Sequence, residues 1–315
     1  MAPVMFLLLP SKPPSHLSIS KRLKQLDWLG AILVVSSLTL FILALMFGGN
    51  EFAWSSSIVL GFFIASAILA LLFILSQTLL PYKKDKSQRL FRAHFFINKD
   101  MVLLSIATGA GTSALFLSIY YIPLFFQFTR GDSALKAAVR LLPLIIVAIG
   151  FCIGGSGAIA LTGYHIPWYI FGGMIVIIGF SLLSTITPAT SNGVVYGYLI
   201  IIGAGLGAFV QMGFAIAQAI SPKTDTEASI SFIMQGQTLG IIVGLAIAGS
   251  VFLNRATEGL AALFPDLPPS SVRQAIAGHD ASFLTTLPPE LQQQCLQILV
   301  QSMDRVFLLG IVGGQ

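Results

Sequence analysis

Residues Met101–Phe126 read MVLLSIATGAGTSALFLSIYYIPLFF, and this stretch decides the fold class. It contains no charged residue and exceeds the roughly 20 residues that a helix needs to cross the hydrocarbon core of a bilayer. Its apolar residues are continuous rather than alternating with polar ones, which is typical of a helix in lipid and not of a barrel strand. The stretch therefore predicts a transmembrane helix.

Six other apolar runs of comparable length surround this one. They lie at Leu29–Phe47, Ser57–Leu80, Leu135–Leu161, Trp168–Ile186, Val194–Ile220 and Ala228–Leu253. An eighth begins near Arg305 and continues for only about ten residues, half of what a span needs. Charged residues make up 9% of the 315 residues, against roughly 25% in soluble domains. We therefore expect an all-α, polytopic membrane protein with about seven spans.

The basic residues predict the orientation. Of the 17 Lys and Arg residues, 11 fall in the amino-terminal tail and in the connections that share its side of the membrane, and 6 fall on the opposite side. The positive-inside rule therefore assigns the amino-terminal tail to the cytoplasm. The net charge of +5 then reflects contact with an anionic leaflet and gives no reason to expect nucleic acid as a partner.

Sequence motifs for enzymatic or metal chemistry are absent. The chain contains no HExxH, no GxSxG and no P-loop, and Cys152 and Cys295 have no metal-ligand spacing. Gly203–Gly207 is not a dinucleotide fingerprint, because no strand precedes it. We expect no enzymatic activity, no metal site and no cofactor. No Asp, Glu or His falls in the middle of a predicted span, although proton-coupled carriers use an intramembrane carboxylate.

Several motifs, in order, resemble a known family. They are LDWLGA (Leu26–Ala31), FGGNEFAWSSS (Phe47–Ser57), YYIPLFFQ (Tyr120–Gln127), GDSALKAAVRLLP (Gly131–Pro143), GAGLGAFVQ (Gly203–Gln211) and FIMQGQTLGIIVG (Phe232–Gly244). Together they resemble the carboxy-terminal portion of fungal fourteen-span drug:proton antiporters of the major facilitator superfamily. The resemblance implies proton-coupled efflux of small, amphipathic molecules by alternating access, in the plasma membrane or alternatively the vacuolar membrane. It places the coupling carboxylate in an absent amino-terminal half, or implies that coupling is lacking.

The resemblance also implies a division of the chain. Residues 1–27 would be the end of a lost helix and a cytoplasmic linker, 28–80 two linker transmembrane helices, 81–100 a cytoplasmic basic loop, 101–253 a five-helix carboxy-terminal bundle, 254–304 a non-cytoplasmic loop, and 305–315 a truncated last helix. This is a partial major facilitator fold with an incomplete six-helix bundle. In the 254–304 loop, Pro-led patterns at 267–278 and 287–300 predict two amphipathic helices, and the second can run into the last span.

Two departures from the family pattern bear on normal gating. Ala138 stands where the family usually has Gly, and the arginines expected around Gly163 are missing. A second hypothesis is that the chain acts as it stands, as a non-transporting, half-length membrane protein that is a partner or remnant of a carrier. Under the first hypothesis, the partners are a small-molecule substrate, the lipid bilayer, and the missing amino-terminal half or another carrier chain.

Candidate substrate-cavity residues are Gln211, Gln235, Tyr120, Tyr121 and Phe209. An amide in lipid needs a partner, so each glutamine either faces the substrate or bonds across helices. The aromatic side chains either form a wall for apolar substrates or pack in the core. Arg140, near one end of a predicted span, either meets an anionic group or snorkels to the interface. Candidate helix-packing glycines are Gly150, Gly154, Gly203, Gly207, Gly240 and Gly244.

Overall fold

The structure, a computed structural model, describes residues 27–49, 51–78, 94–164, 166–222, 225–264 and 288–314, without the side chains of 78, 94 and 158–162. The expected tail at 1–26, most of the basic loop and the amphipathic helix at 267–278 lie outside the described residues. The helices are α1 (Trp28–Phe47), α2 (Ser57–Thr78), α3 (His94–Ile97), α4 (Lys99–Arg130), α5 (Ala134–Val139), α6 (Leu142–Thr162), α7 (Ile166–Leu183), α8 (Asn192–Phe209), α9 (Met212–Ile220), α10 (Thr226–Leu263) and α11 (Pro289–Gly310). A 3₁₀ helix at Ile311–Gly314 follows α11.

Among the described residues, eight helical segments are long and apolar enough to cross a membrane. The all-α, polytopic class is therefore confirmed. Two of the eight segments are interrupted where the sequence predicted a continuous helix. One break separates α5 from α6 just before Pro143, whose backbone nitrogen cannot donate a helical hydrogen bond. The other separates α8 from α9 at Val210 and Gln211. The backbone angles of both residues stay near-helical, so this interruption is a slight bend and not a turn.

Local signals fix the ends of α4, the helix that contains the Met101–Phe126 run. The Asn98 side chain accepts hydrogen bonds from the backbone N–H groups of Asp100 and Met101 and so caps the first turn. Gly131 ends the helix with a φ of +62°, a left-handed conformation that glycine adopts without strain.

The bundle consists of two triplets of spans in chain order, α4, α5–α6 and α7 followed by α8–α9, α10 and α11. The first span of each triplet packs against the other triplet. α4, from the first triplet, packs against α10 and α11 of the second. In return α8, which opens the second triplet, packs against α6 and α7 of the first. Two three-helix units are thereby interlocked in one six-helix bundle, an arrangement in keeping with the internal structural repeats of many transporters.

Helices α1 and α2 form a hairpin beside the bundle. Each hydroxyl of Ser37 and Ser66 donates to the other residue's carbonyl oxygen at 2.9 Å, so the two helices are bonded at their middle. The hairpin reaches the bundle through contacts of α1 with α10. Near the hairpin's tip, the Asn254 amide donates to the Gly48 carbonyl at 3.4 Å.

The last helix begins earlier than the half-span expected from Arg305. α11 starts at Pro289, and the Pro-led pattern continues into the apolar run without a break. A Cβ atom at Gly313 would touch Ala110 and Ala114, in the middle of the Met101–Phe126 run. Gly314 likewise lies against Gly173, inside α7. The helix therefore passes the end of α7 near Asp304 and reaches the middle depth of the bundle at its last turn.

Candidate functional site

The bend between α8 and α9 carries an exposed amide at the middle depth of the bundle. Phe209 and Val210 lie against Gly111 of α4, and Gly213 lies against Thr108. Gln211, between these contacts, is therefore level with the centre of the Met101–Phe126 run. Its side chain is exposed among the described residues. A polar, exposed group at this depth belongs either to lipid, where it is unfavourable, or to a polar pathway.

Beneath this bend lie two buried hydroxyls that have no hydrogen-bond partner among the described residues. They are the Oγ1 of Thr108 and the phenolic oxygen of Tyr169. Both adjoin Gly213, the second residue of α9: a Cβ atom there would overlap the Thr108 hydroxyl and lie 3.6 Å from the Tyr169 hydroxyl. Unsatisfied buried polar groups are uncommon, so these two hydroxyls are groups that a ligand or water at this level could satisfy.

The other amides differ in their surroundings. Gln237 donates to the Thr112 hydroxyl at 3.2 Å and so bonds α10 to α4. The Oε1 of Gln235 is buried and has no partner in the part of the chain that the structure describes. Gln235 is therefore left with an acceptor that a ligand or a neighbouring chain can satisfy.

The aromatic candidates separate into one surface residue and two core residues. The Tyr120 side chain is 47% exposed, and its ring meets the Tyr121 ring edge-on at 5.0 Å. Tyr121 is buried against Phe252, and Phe209 is buried against Tyr169. Of the predicted aromatic wall, only Tyr120 faces outward in this arrangement.

Four of the six glycines lie where helices cross. A Cβ atom at Gly203 or Gly207 would overlap the backbone of α6. At Gly240 it would overlap the Gly109 backbone of α4, and at Gly244 the Ser113 hydroxyl. Cβ atoms at Gly150 and Gly154 would meet nothing within 4 Å, so the partner expected for this pair is not among the described residues.

The Arg140 side chain has a partner that the sequence pattern does not predict. Its Nε donates to the Asp132 carboxylate at 2.5 Å, and its NH1 donates to the Tyr196 hydroxyl at 2.7 Å. The guanidinium also lies 4.5 Å above the ring centre of Phe126. Neither a free anionic site nor a snorkelling arginine describes this geometry. The sequence signal was an acidic residue in the loop just before α5, which short-range spacing alone did not link to Arg140.

Asp132 is the centre of this ionic cluster. Lys136 approaches its other carboxylate oxygen at 2.8 Å, and the Asp132 side chain is only 1% exposed. The hydrogen bond from Arg140 lowers the pKa of the Asp132 carboxyl below its usual value; burial acts in the opposite direction, and Lys136 lowers the pKa further. The cluster fastens the loop after α4 to α5 and α8.

A second carboxylate occupies a cavity between the end of α7, α10 and α11. The cavity has a volume of about 470 Å³, and Asp304 lines it together with Arg255 and Arg305. The Oδ1 of Asp304 is buried and has no hydrogen-bond partner among the described residues. The sequence predicts Asp304 at the end of a loop, because the polar first half of α11 has too little hydropathy for a predicted span. In the described residues, no cluster of three or more His, Cys, Asp or Glu side chains could hold a metal ion.

Comparison with curated proteins gives matches along the whole chain. It is 36% identical, over 99% of its length, to the phomenoic acid biosynthesis cluster MFS-type transporter of Leptosphaeria maculans. It is 36% identical to the MFS-type transporter pgmG of Aspergillus terreus over 99% of its length, and 34% identical to the efflux pump patC of Aspergillus clavatus over 100%. The chain belongs to the fungal MFS-type transporters. No protein-family model matches it.

The match to these MFS-type transporters covers only part of each relative. The chain spans 52% of the Leptosphaeria protein, 56% of pgmG and 58% of patC. This share agrees with a carboxy-terminal portion that contains two linker helices and one bundle of the fold. As a member of this family with eight membrane-competent helices in its described residues, the chain is an integral, multi-pass membrane protein.

Proposed function

We propose that the protein exports small, amphipathic molecules by alternating access, and that this chain supplies one of the two bundles that move against each other. Relatives that match the whole chain are named efflux pumps and MFS-type transporters, and one belongs to a biosynthesis cluster. Those names support a small organic molecule as the substrate.

The observation that carries this proposal is the exposed amide of Gln211 on the bent helix, level with the middle of the bundle. Substrate sites of secondary transporters lie near the bilayer midplane, and interrupted helices commonly form them. We assign Gln211 to the substrate pathway, with Gln235 and Tyr120 as further contacts. Tyr121 and Phe209 act behind this surface, since both are buried.

The finer features of the proposal follow from the family resemblance. The second bundle is an amino-terminal half or another carrier chain, and coupling to protons uses a carboxylate of that second bundle. The membrane is the plasma membrane, alternatively that of the vacuole. A non-transporting half-length protein is the less favoured reading, because the relatives are transporters along the whole aligned length. Nothing in the relatives' names points to an enzyme.

The test compares two amides that both lie exposed on the α8–α9 segment, Gln211 and Gln218. The assay measures efflux of a fluorescent amphipathic dye from cells that lack the native gene and carry the wild-type or variant gene. Gln211→Ala should raise the half-saturating dye concentration up to about tenfold, the factor that corresponds to the loss of one hydrogen bond. Gln218→Ala should leave it unchanged. Equal effects of both variants, or no dye efflux by the wild-type protein, would contradict the proposal.

A further inference from the structure

The cavity between α7, α10 and α11 lies at the edge of the membrane. Ser184, just past the end of α7, lines it beside Asp304. Gly313, nine residues after Asp304, is at the middle depth of the bundle. Nine residues of helix span about 13.5 Å, which is close to half of the hydrocarbon thickness. Asp304 therefore lies where the hydrocarbon core meets the headgroups, on the side expected to be non-cytoplasmic.

The lining of the cavity changes in polarity from the lipid side outward. On the lipid side it includes Leu308, whose side chain is 41% exposed. Beyond Leu308 the lining is mostly charged or polar, with Arg255, Arg305 and Asp304 joined by Gln301 and Ser302, although Ile298 and Gly259 also contribute to it. A site with an apolar edge beside the acyl chains and several charged groups further out suits a phospholipid near its headgroup.

The charged groups of the cavity are not neutralised by one another. Among the described residues, neither arginine forms an ion pair with Asp304, and Arg255 has only a 3.5 Å contact with the exposed Glu258. The Oδ1 of Asp304 is buried without a donor, which is unfavourable for a carboxylate oxygen. Two guanidinium groups beside an unsatisfied acceptor call for a ligand that carries both an anion and an N–H donor.

We propose that this cavity binds the headgroup of a phospholipid that carries a primary ammonium and a phosphate, from the non-cytoplasmic leaflet. The phosphate lies between Arg255 and Arg305, because guanidinium groups bind phosphate through paired hydrogen bonds. The ammonium donates to Asp304. The volume of about 470 Å³ accommodates such a headgroup. The site is separate from the substrate pathway at Gln211 and does not depend on it.

Lipids that share the phosphate but differ in the ammonium group test this assignment. The protein, purified in the form in which cells make it, is titrated with phosphatidylethanolamine, phosphatidylcholine or phosphatidylglycerol of the same chain length. Native mass spectrometry counts the lipids bound to each molecule. Phosphatidylethanolamine should bind about tenfold more tightly than phosphatidylcholine, whose quaternary ammonium has no N–H to donate. Phosphatidylglycerol, which has no ammonium, should bind as weakly as phosphatidylcholine.

Variants show whether this preference comes from the cavity. Asp304→Asn should abolish the preference for phosphatidylethanolamine, and Arg305→Gln should weaken all three lipids. Asp100→Asn is the matched control, since Asp100 is an exposed carboxylate in the first turn of α4, at the other membrane face. Its lipid binding should equal that of the wild type. Size-exclusion chromatography would reveal whether Asp304→Asn fails to fold. In that case, weaker binding of all three lipids by Arg305→Gln still tests whether they bind in this cavity.

Three results would overturn the assignment. One is equal binding of phosphatidylethanolamine and phosphatidylcholine by the wild-type protein. Another is an unchanged preference in Asp304→Asn. The third is complete displacement of the lipid by soluble phosphoethanolamine at equimolar concentration, which would identify a site for a free zwitterion and not for a membrane lipid.

Discussion

At the scale of single residues, Asp132 shows how a buried ion pair is made acceptable beside a membrane. Its two carboxylate oxygens face Arg140 and Lys136, and Arg140 is held in turn by Tyr196 and by the ring of Phe126. The single side chain of Arg140 contacts side chains from α4, from the following loop and from α8. Removal of the charge from Asp132 would therefore leave a largely buried guanidinium without its counter-ion.

Asp132→Asn should lower the free energy of unfolding by about 1–3 kcal/mol, the range for loss of a charged hydrogen-bond partner. Lys136→Gln should change it by less than about 0.5 kcal/mol, because the lysine side chain is 67% exposed. Thermal unfolding of the purified protein measures both, at about 2–4 °C per kcal/mol for a protein of this size. A larger loss in Lys136→Gln than in Asp132→Asn would contradict this reading.

The pKa of Asp132 gives this contribution a pH dependence. Because its pKa is lower in the folded protein than in the unfolded chain, the stabilisation is complete above the unfolded value of about 3.9. It is lost as the pH falls through the lower, folded value. The gap in melting temperature between the wild-type protein and Asp132→Asn should be constant from pH 8 to about pH 5 and shrink at lower pH. A gap that widens on acidification would be inconsistent with the lowered pKa.

At the scale of helices, small residues determine which helices touch. Gly240 of α10 lies so close to Gly109 of α4 that a Cβ atom would overlap the Gly109 backbone. In the described part of the chain, nothing lies within 4 Å of the Cβ position of Gly249, on the same helix. The two glycines therefore separate the effect of helix contact from the effect of glycine on helix propensity.

Gly240→Ala should destabilise the bundle by about 1–3 kcal/mol, because α4 and α10 must move apart. Gly249→Ala should be neutral or stabilising by up to about 1 kcal/mol, since alanine favours helix over glycine. The measurement is thermal unfolding of both variants together with the fraction that remains monodisperse in detergent. Tolerance of alanine at both positions would show that α4 and α10 are not in backbone contact.

The helices also show what the sequence could and could not determine. Met101–Phe126 was predicted because a long uncharged run has one stable form in lipid. The bend at Val210 was not, because its backbone stays near-helical and leaves no pattern in the residues. Asp304 was misplaced because hydropathy alone reads a polar helix segment at the interface as a loop. The pairing of Arg140 with Asp132 depends on the loop geometry, which spacing does not fix.

At the scale of the whole molecule, the exchange of α4 and α8 between the two triplets makes one bundle that can move as a unit. Among the described residues, few charged side chains lie in the interior, and the two charged clusters lie toward the membrane faces. A rigid bundle with a polar group at mid-depth is what alternating access requires of each half. Each helix of the bundle packs against others of the same bundle.

The central claim is that Gln211 lines a water-filled substrate pathway, and cysteine labelling tests it most directly. Cys152 and Cys295 are first replaced by alanine, and Gln211→Cys is introduced into that background. Phe171→Cys is the control, because Phe171 is 45% exposed and adjoins Gly172 of α7, which lies against Phe209. A membrane-impermeant thiol reagent should modify the protein at position 211 and not at 171, and a transported dye should slow the reaction at 211. If position 211 reacts only with lipid-soluble reagents, as position 171 should, Gln211 faces lipid and the proposed pathway is wrong.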